Sequence, residues 1–182
     1  VNVRGGKEDQ NLFLLDNATI YNPTHFFGFF SSINPYVINN AEIYKASIPV
    51  EFGGRIASVF DIQTKKGNTE KINGEGGIGP VTSNITLSIP IVKNKSSLLV
   101  GGRATYSDWV LKLVDNEKIK NSGASFYDLF LKYNHKITQK TDIEAIAYYS
   151  DDKFNLSIDS TYNYSNRVLG FKIKHYFNEN SN

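Results

Sequence analysis

From Ile72 onward the chain is written in alternating polar and apolar positions. Ile85, Leu87, Ile89 and Ile91 fall on one parity, with Asn84, Thr86, Ser88 and Pro90 on the other. Leu98, Val100, Ala104 and Tyr106 oppose Ser97, Gly101, Arg103 and Thr105. Tyr127, Leu129, Leu131 and Tyr133 oppose Asp128, Lys132 and Asn134. Ile143, Ala145, Ala147 and Tyr149 oppose Asp142 and Glu144, and Leu169, Phe171 and Ile173 alternate with Lys172 and Lys174. A period of two is that of a strand with one apolar and one polar face. The pattern predicts strands over about Ile72–Gly79, Asn84–Ile91, Ser97–Leu111, Phe126–Ile137, Asp142–Phe154 and Tyr164–Phe177, with a long polar loop over most of Asp151–Asn163, although Leu156, Ile158, Tyr162 and Tyr164 alternate well enough to lengthen the flanking strands.

Residues before Gly67 follow a different grammar. Val1–Arg4 and Leu12–Leu15 read as short strands, Asp16-Asn17 as a turn and Thr19–Tyr21 as the returning strand. Both turn side chains bond nearby backbone and tolerate positive φ. Phe26, Phe27, Phe29 and Phe30 crowd around Gly28 in a loop, and four phenylalanines are costly to leave in water, so they cover or meet something. Pro35 suits the first turn of a short helix through Ile38, ended by Asn39-Asn40. Ala41–Ala46 and Val59–Thr64 alternate as strands. The polar stretch Lys65-Lys66-Gly67-Asn68 marks the boundary between residues 1–67 and 68–182.

Connection lengths bear on architecture. Lys93–Ser96 and Thr138–Thr141 are tight, whereas Leu111–Ser125 is long and polar. Short and long connections in alternation suit an outer-membrane β-barrel, whose strands need only about ten residues each. Alternation by itself suits a soluble β-sandwich equally, in which case Ile85, Leu87, Ile89 and Ile91 would lie in a closed core. No apolar run reaches the length of about 18 residues that a transmembrane helix needs.

Composition narrows the function classes. With 40% hydrophobic and 21% charged residues among 182, the chain can fold. A net charge of +2, without a Lys/Arg run, argues against nucleic acid. The 11 Tyr and 12 Phe suit interfacial girdles and soluble sheets alike. There is no cysteine, hence no disulfide, thiolate metal site or cysteine nucleophile. Methionine is also missing, and the chain opens on VNVRGG without a leader, so the expectation is a segment of a longer exported protein.

Five stretches in order, Val3-Arg4-Gly5-Gly6, LLDNATIYNP, HFFGFFSSINP, NNAEIYKA and FGGRIASVFDIQTKKG, carry a resemblance to TonB-dependent outer-membrane receptors. They resemble the C-terminal part of the plug domain in the version common among Bacteroidota. The implied fold is mostly β: a small mixed α+β plug over 1–67, followed over 68–182 by about six antiparallel transmembrane strands of an incomplete β-barrel. The implied function is energised uptake of a scarce ligand, a siderophore, cobalamin, glycan or peptide, across the outer membrane. The implied partners are that ligand, outer-membrane lipid, and the TonB–ExbB–ExbD energising complex acting through a segment outside this chain. The rivals are a non-transporting signalling or adhesion receptor of the same class and the soluble sandwich.

By the resemblance, Tyr21, His25, Phe26, Phe27, Phe29 and Phe30 lie at the plug apex as ligand contacts, or else pack the plug against the barrel wall. Arg4 and Lys45 are the basic groups that pair with acidic residues of that wall, a lysine less rigidly than an arginine. Arg103, Asp128, Lys132, Asp142, Glu144, Lys172 and Lys174 are expected to face the lumen, and the apolar parity the lipid. No phosphate loop, HExxH or nucleophile elbow occurs, so no enzyme, cofactor or metal site is expected. Asp151-Asp152 is the one pair with loop-calcium character.

Overall fold

The computed structural model describes residues 3, 7–45, 48–113, 115, 120, 122–156 and 160–177. The expected Val1–Arg4 strand, and Arg4 with it, lies outside the described residues apart from Val3. Two sheets pack against each other. The first is mixed and four-stranded: β1 (Asn11–Leu15), β2 (Ala18–Thr19), β5 (Ile38–Tyr44) and β6 (Ser58–Thr64), ordered β2-β1-β6-β5. Asp16 and Asn17 both take positive φ, 48° and 74°, so the β1–β2 hairpin closes through the left-handed turn that matches strand twist. β1 runs parallel to β6, bringing Phe13 and Phe60 into stacking at 4.3 Å.

The expected helix at Pro35 is a single 3-10 turn, Pro35–Val37. Asn34 caps it, its Oδ1 accepting from the Tyr36 N–H at 3.0 Å. Asn39-Asn40 does not end a helix there. The chain has already turned extended at Ile38, and both asparagines belong to β5, whose ladder to β6 shifts register between Ile38 and Asn40. Among the described residues before Gly67 there are 3-10 turns but no α-helix. Between β2 and β5 lies a separate small hairpin, β3 (Thr24–His25) and β4 (Phe30–Ser31), joined by a 3-10 turn over Phe26–Gly28.

The second sheet is an antiparallel meander of β7 (Asn73–Ile78), β8 (Thr82–Val92), β9 (Ser96–Thr105), β10 (Gly123–Thr138), β11 (Thr141–Leu156) and β12 (Ser160–His175). It is open, with β7 and β12 at its edges. Two boundaries depart from the sequence reading. β9 ends at Thr105, and α1 (Asp108–Leu111) follows, because the Ser107 carbonyl accepts from the Val110 and Leu111 N–H groups. Residues 151–163 are not mainly a loop: β11 and β12 pair in register from Thr141↔His175 to Leu156↔Ser160. The same pairing corrects the loop-calcium reading of Asp151-Asp152, since in a strand the two carboxylates point to opposite faces.

One face of the meander is apolar and open. Ile85, Leu129, Leu169, Phe171 and Ile173 are all more than half exposed, and Leu87 and Leu131 are exposed as well. The closed core that a sandwich would require around Ile85, Leu87 and Ile91 is therefore not what forms. The opposite face carries Ser97, Arg103, Phe126, Asp128, Phe130 and Lys132, all buried where the first sheet and the β3–β4 hairpin cover it. Leu15, Ile20, Ile33 and Val37 from the first part join Leu99, Phe130, Ile146, Tyr148 and Val168 from the meander in one apolar cluster.

Gly101 makes the closest approach possible. A Cβ there would stand 2.4 Å from Val37 Cγ1, so only glycine lets the turn after Asn34 settle onto β9. Asn34 Nδ2 also donates to the Gly102 carbonyl at 3.2 Å.

Candidate functional site

The β3–β4 hairpin is short, and its strain is local. Phe26 takes φ 50° and Gly28 φ 105°, so the chain doubles back within three residues. That reversal drives His25 and Phe26 inward and leaves Phe29 outward. His25 is fully buried, and Phe26 is 9% exposed, whereas Tyr21 is 84% and Phe29 85% exposed. Phe30 is partly buried against Phe126 at 5.5 Å. The Phe27 side chain lies outside the described residues. Five of the six apical residues named from the sequence thus divide: His25, Phe26 and Phe30 meet the meander, and Tyr21 and Phe29 meet solvent.

Around His25 the inward parity of β9, β10 and β11 supplies a polar socket in an aromatic setting. The imidazole stacks on Phe126 at 4.0 Å between centroids. Its Nδ1–H donates to Asp152 Oδ2 at 2.6 Å, and Nε2 lies 3.6 Å from Asp128 Oδ2. Arg103 Nε donates to the same Asp128 oxygen at 2.6 Å, while its Nη2 donates to the Ser31 carbonyl at 2.7 Å. Phe26 closes one side, edge-on to Phe126 at 5.2 Å.

The flanks of the hairpin are fastened through backbone. Tyr148 Oη donates to the Ser32 carbonyl and Tyr164 Oη to the Thr24 carbonyl. Asn166 reads Asn22 twice, donating to its carbonyl at 3.0 Å and accepting from its N–H at 3.2 Å.

Burial is the largest influence on His25 and pulls its pKa down. The hydrogen bonds to Asp128 and Asp152 and the Asp152 charge together outweigh it, so the net shift is upward from the ordinary 6.5.

A second polar contact holds the β1–β2 turn. Lys132, 2% exposed on β10, places Nζ 3.1 Å from Asp16 Oδ2, 3.0 Å from Thr64 Oγ1 and 3.6 Å from Glu144 Oε2. Glu144 also pairs with Lys66 at 2.6 Å, and Lys172 donates to Asn17 Oδ1 at 3.1 Å. The ion pairs that tie the first part to the meander therefore use basic groups of the meander as well as Lys66. Lys45 is exposed and enters no ion pair among the described residues.

Neither contact is laid out as a reaction centre. No group of three or more His, Cys, Asp or Glu among the described residues is arranged to hold a metal ion.

Residues 1–59 match the family model described as TonB-dependent Receptor Plug Domain. That stretch is similar to a receptor plug. It contains the β3–β4 hairpin and Asp16, the parts docked on the meander. The match supports the TonB-dependent receptor family, which is one of outer-membrane receptors and transporters rather than enzymes. No curated protein and no solved structure matches the chain.

Sequence reasoning reached Arg103, Asp128, Lys132, Glu144 and Lys172 as inward-facing groups. It missed Phe126, Phe130, Tyr148, Asp152 and Asn166. The signal was there for all five: Phe126, Phe130 and Tyr148 share the inward parity of their strands, Asp152 shares that of Glu144, and Asn166 shares that of Lys172.

Proposed function

We propose that the chain is part of a TonB-dependent outer-membrane transporter, of the version common among Bacteroidota. In this reading residues 1–67 are the C-terminal part of the plug and residues 68–182 the first strands of the barrel wall. The observation that carries the reading is the sidedness of the meander. Its apolar parity is exposed along β8, β10 and β12, whereas Arg103, Asp128, Lys132 and Asp152 on the opposite face are buried under the plug-like part. A wall with lipid outside and a plug inside needs that arrangement.

The wall strands also outrun the bilayer. β10, β11 and β12 have 16 residues each, against the roughly 9 to 11 that span the hydrocarbon, so their far ends reach past the membrane surface. Ligand arriving there would meet the exposed rings of Tyr21 and Phe29, while His25, Phe26 and Phe30 hold the hairpin to the wall. Lys45, exposed and without an ion pair among the described residues, is assigned with Arg4 to acidic groups elsewhere on the wall. The energising partner is the TonB–ExbB–ExbD complex, and the cargo is a scarce siderophore, cobalamin, glycan or peptide.

The test is uptake by cells expressing the protein, with and without an energised TonB system, alongside localisation in separated membranes. The reading expects outer-membrane recovery and TonB-dependent uptake. It also expects the paired substitution Tyr21→Ala with Phe29→Ala to weaken ligand binding about tenfold or more without lowering the amount in the membrane, as loss of two aromatic contacts would. Recovery in the soluble fraction overturns it.

A further inference from the structure

Three features of the docking surface remain after the plug and wall have been assigned. In the lysine-rich hollow beside Asp16, Lys66 and Lys132 are paired with Glu144 and Asp16, and Lys172 and Lys174 are exposed to solvent, where their charge needs no buried partner. The recess beneath Tyr21 and Arg55 has buried Asn11 in its lining, but that amide is already engaged by Ser58 and the Lys7 carbonyl. The His25 socket is different, because its charges balance only in one protonation state.

Arg103, Asp128 and Asp152 bury one guanidinium and two carboxylates, with side-chain exposures of 4%, 0% and 1%. One negative charge is therefore left over in a setting walled by Phe26, Phe30 and Phe126. An uncompensated buried charge is costly, and among the described residues the only other group within reach able to supply a positive charge is the His25 imidazole.

The ring also has the geometry for two bonds. Nδ1 is already bound to Asp152, and Nε2 faces Asp128 with no other partner; Asp128 and Asp152 each retain an oxygen without one. The remaining titratable groups against the hairpin are Tyr148 from β11 and Tyr164 from β12, both hydroxyl donors to its backbone.

We propose that His25 is a proton-operated latch between the β3–β4 hairpin and the meander: the imidazolium bridges Asp128 and Asp152, and loss of its proton leaves a buried negative charge that loosens the hairpin. The latch concerns the contact itself and holds whether the protein transports or only signals. Release takes place as pH rises, and closure as it falls. Arg103 cannot take over, because its guanidinium is shared between Asp128 and Ser31 and it makes no bond to Asp152.

Hydrogen exchange read by mass spectrometry on the protein purified from its membrane tests this. Protection of residues 22–34, corrected for the intrinsic pH dependence of exchange, would be followed from about pH 5 to about pH 9. A latch gives a single downward step, of about tenfold or more in protection factor, with its midpoint above the ordinary histidine value. H25Q should remove the step and leave protection low throughout, and D152N should remove it and leave protection high throughout, because Arg103 and Asp128 then balance beside a neutral imidazole; a merely structural histidine would not give this opposite pair. H135Q and H175Q should leave the step in place. A flat profile in the unmodified protein overturns the proposal without the need for any variant, as does a step that survives H25Q. Neither result touches the transport reading, which rests on localisation and uptake.

Discussion

At the scale of single residues, docking depends on a few side chains that have no substitute. Lys132 is one, since its ammonium stands among Asp16, Thr64 and Glu144 with almost no access to water. Lys132→Met should cost about 3 to 5 kcal/mol in the denaturant unfolding of the detergent-solubilised protein, because it strands buried carboxylate charge. Adding Asp16→Asn to that variant should recover part of the loss. Gly101 is another. Gly101→Ala forces Val37 aside and should destabilise by about 1 to 3 kcal/mol. Gly102→Ala meets only Leu129 and Ile85 at 3.6 and 3.7 Å and should be nearly silent. A result in which both glycines behave alike would remove the close approach as the explanation.

At the scale of elements, the two faces of the meander make opposite demands. Leu129 lies mid-strand on the open face of β10, and Leu129→Arg should cost about 2 to 4 kcal/mol if that face meets the bilayer midplane. In a soluble protein the same change at a half-exposed site should be close to neutral. Measuring folding yield into vesicles separates the two.

This scale also shows what the sequence made legible. Period-two alternation depends only on which face is covered, so the strands from β8 to β12 and their inward charges could be read directly. The 151–163 stretch was misread because Asp, Lys and Asn there resemble loop chemistry, while Tyr162 and Tyr164 were extending the β12 ladder. The partnership of His25 with Asp152 was not legible. It joins residues 127 apart in sequence, and it depends on how the hairpin turn at Phe26 aims its neighbour, which alternation does not encode.

For the whole molecule, the proposed latch and the proposed lipid-facing wall make protonation and membrane contact the conditions for stability. The folded-state pKa of His25 is raised, so its contribution is complete below the ordinary 6.5 and is lost as pH climbs through the higher, folded value. The denaturant midpoint of the docked state should therefore fall from mildly acidic to alkaline pH, and H25Q should flatten that trend. The 182-residue chain expressed by itself exposes the apolar face and leaves β7 and β12 as unpaired edges. It should aggregate without detergent, and a cooperative thermal transition of a monomer in plain buffer would contradict the lipid-facing assignment.

Asp128 and Lys132, one member of each of the two polar contacts, sit four residues apart on β10, about 13 Å along the strand. Two fasteners on a single rail respond differently to the direction of a load. A force along the strand strains both together, and they must rupture in concert. A force away from the sheet peels first one, then the other. The plug-like part should resist shearing far more than lifting, so in single-molecule pulling the rupture force would depend on the axis along which it is drawn.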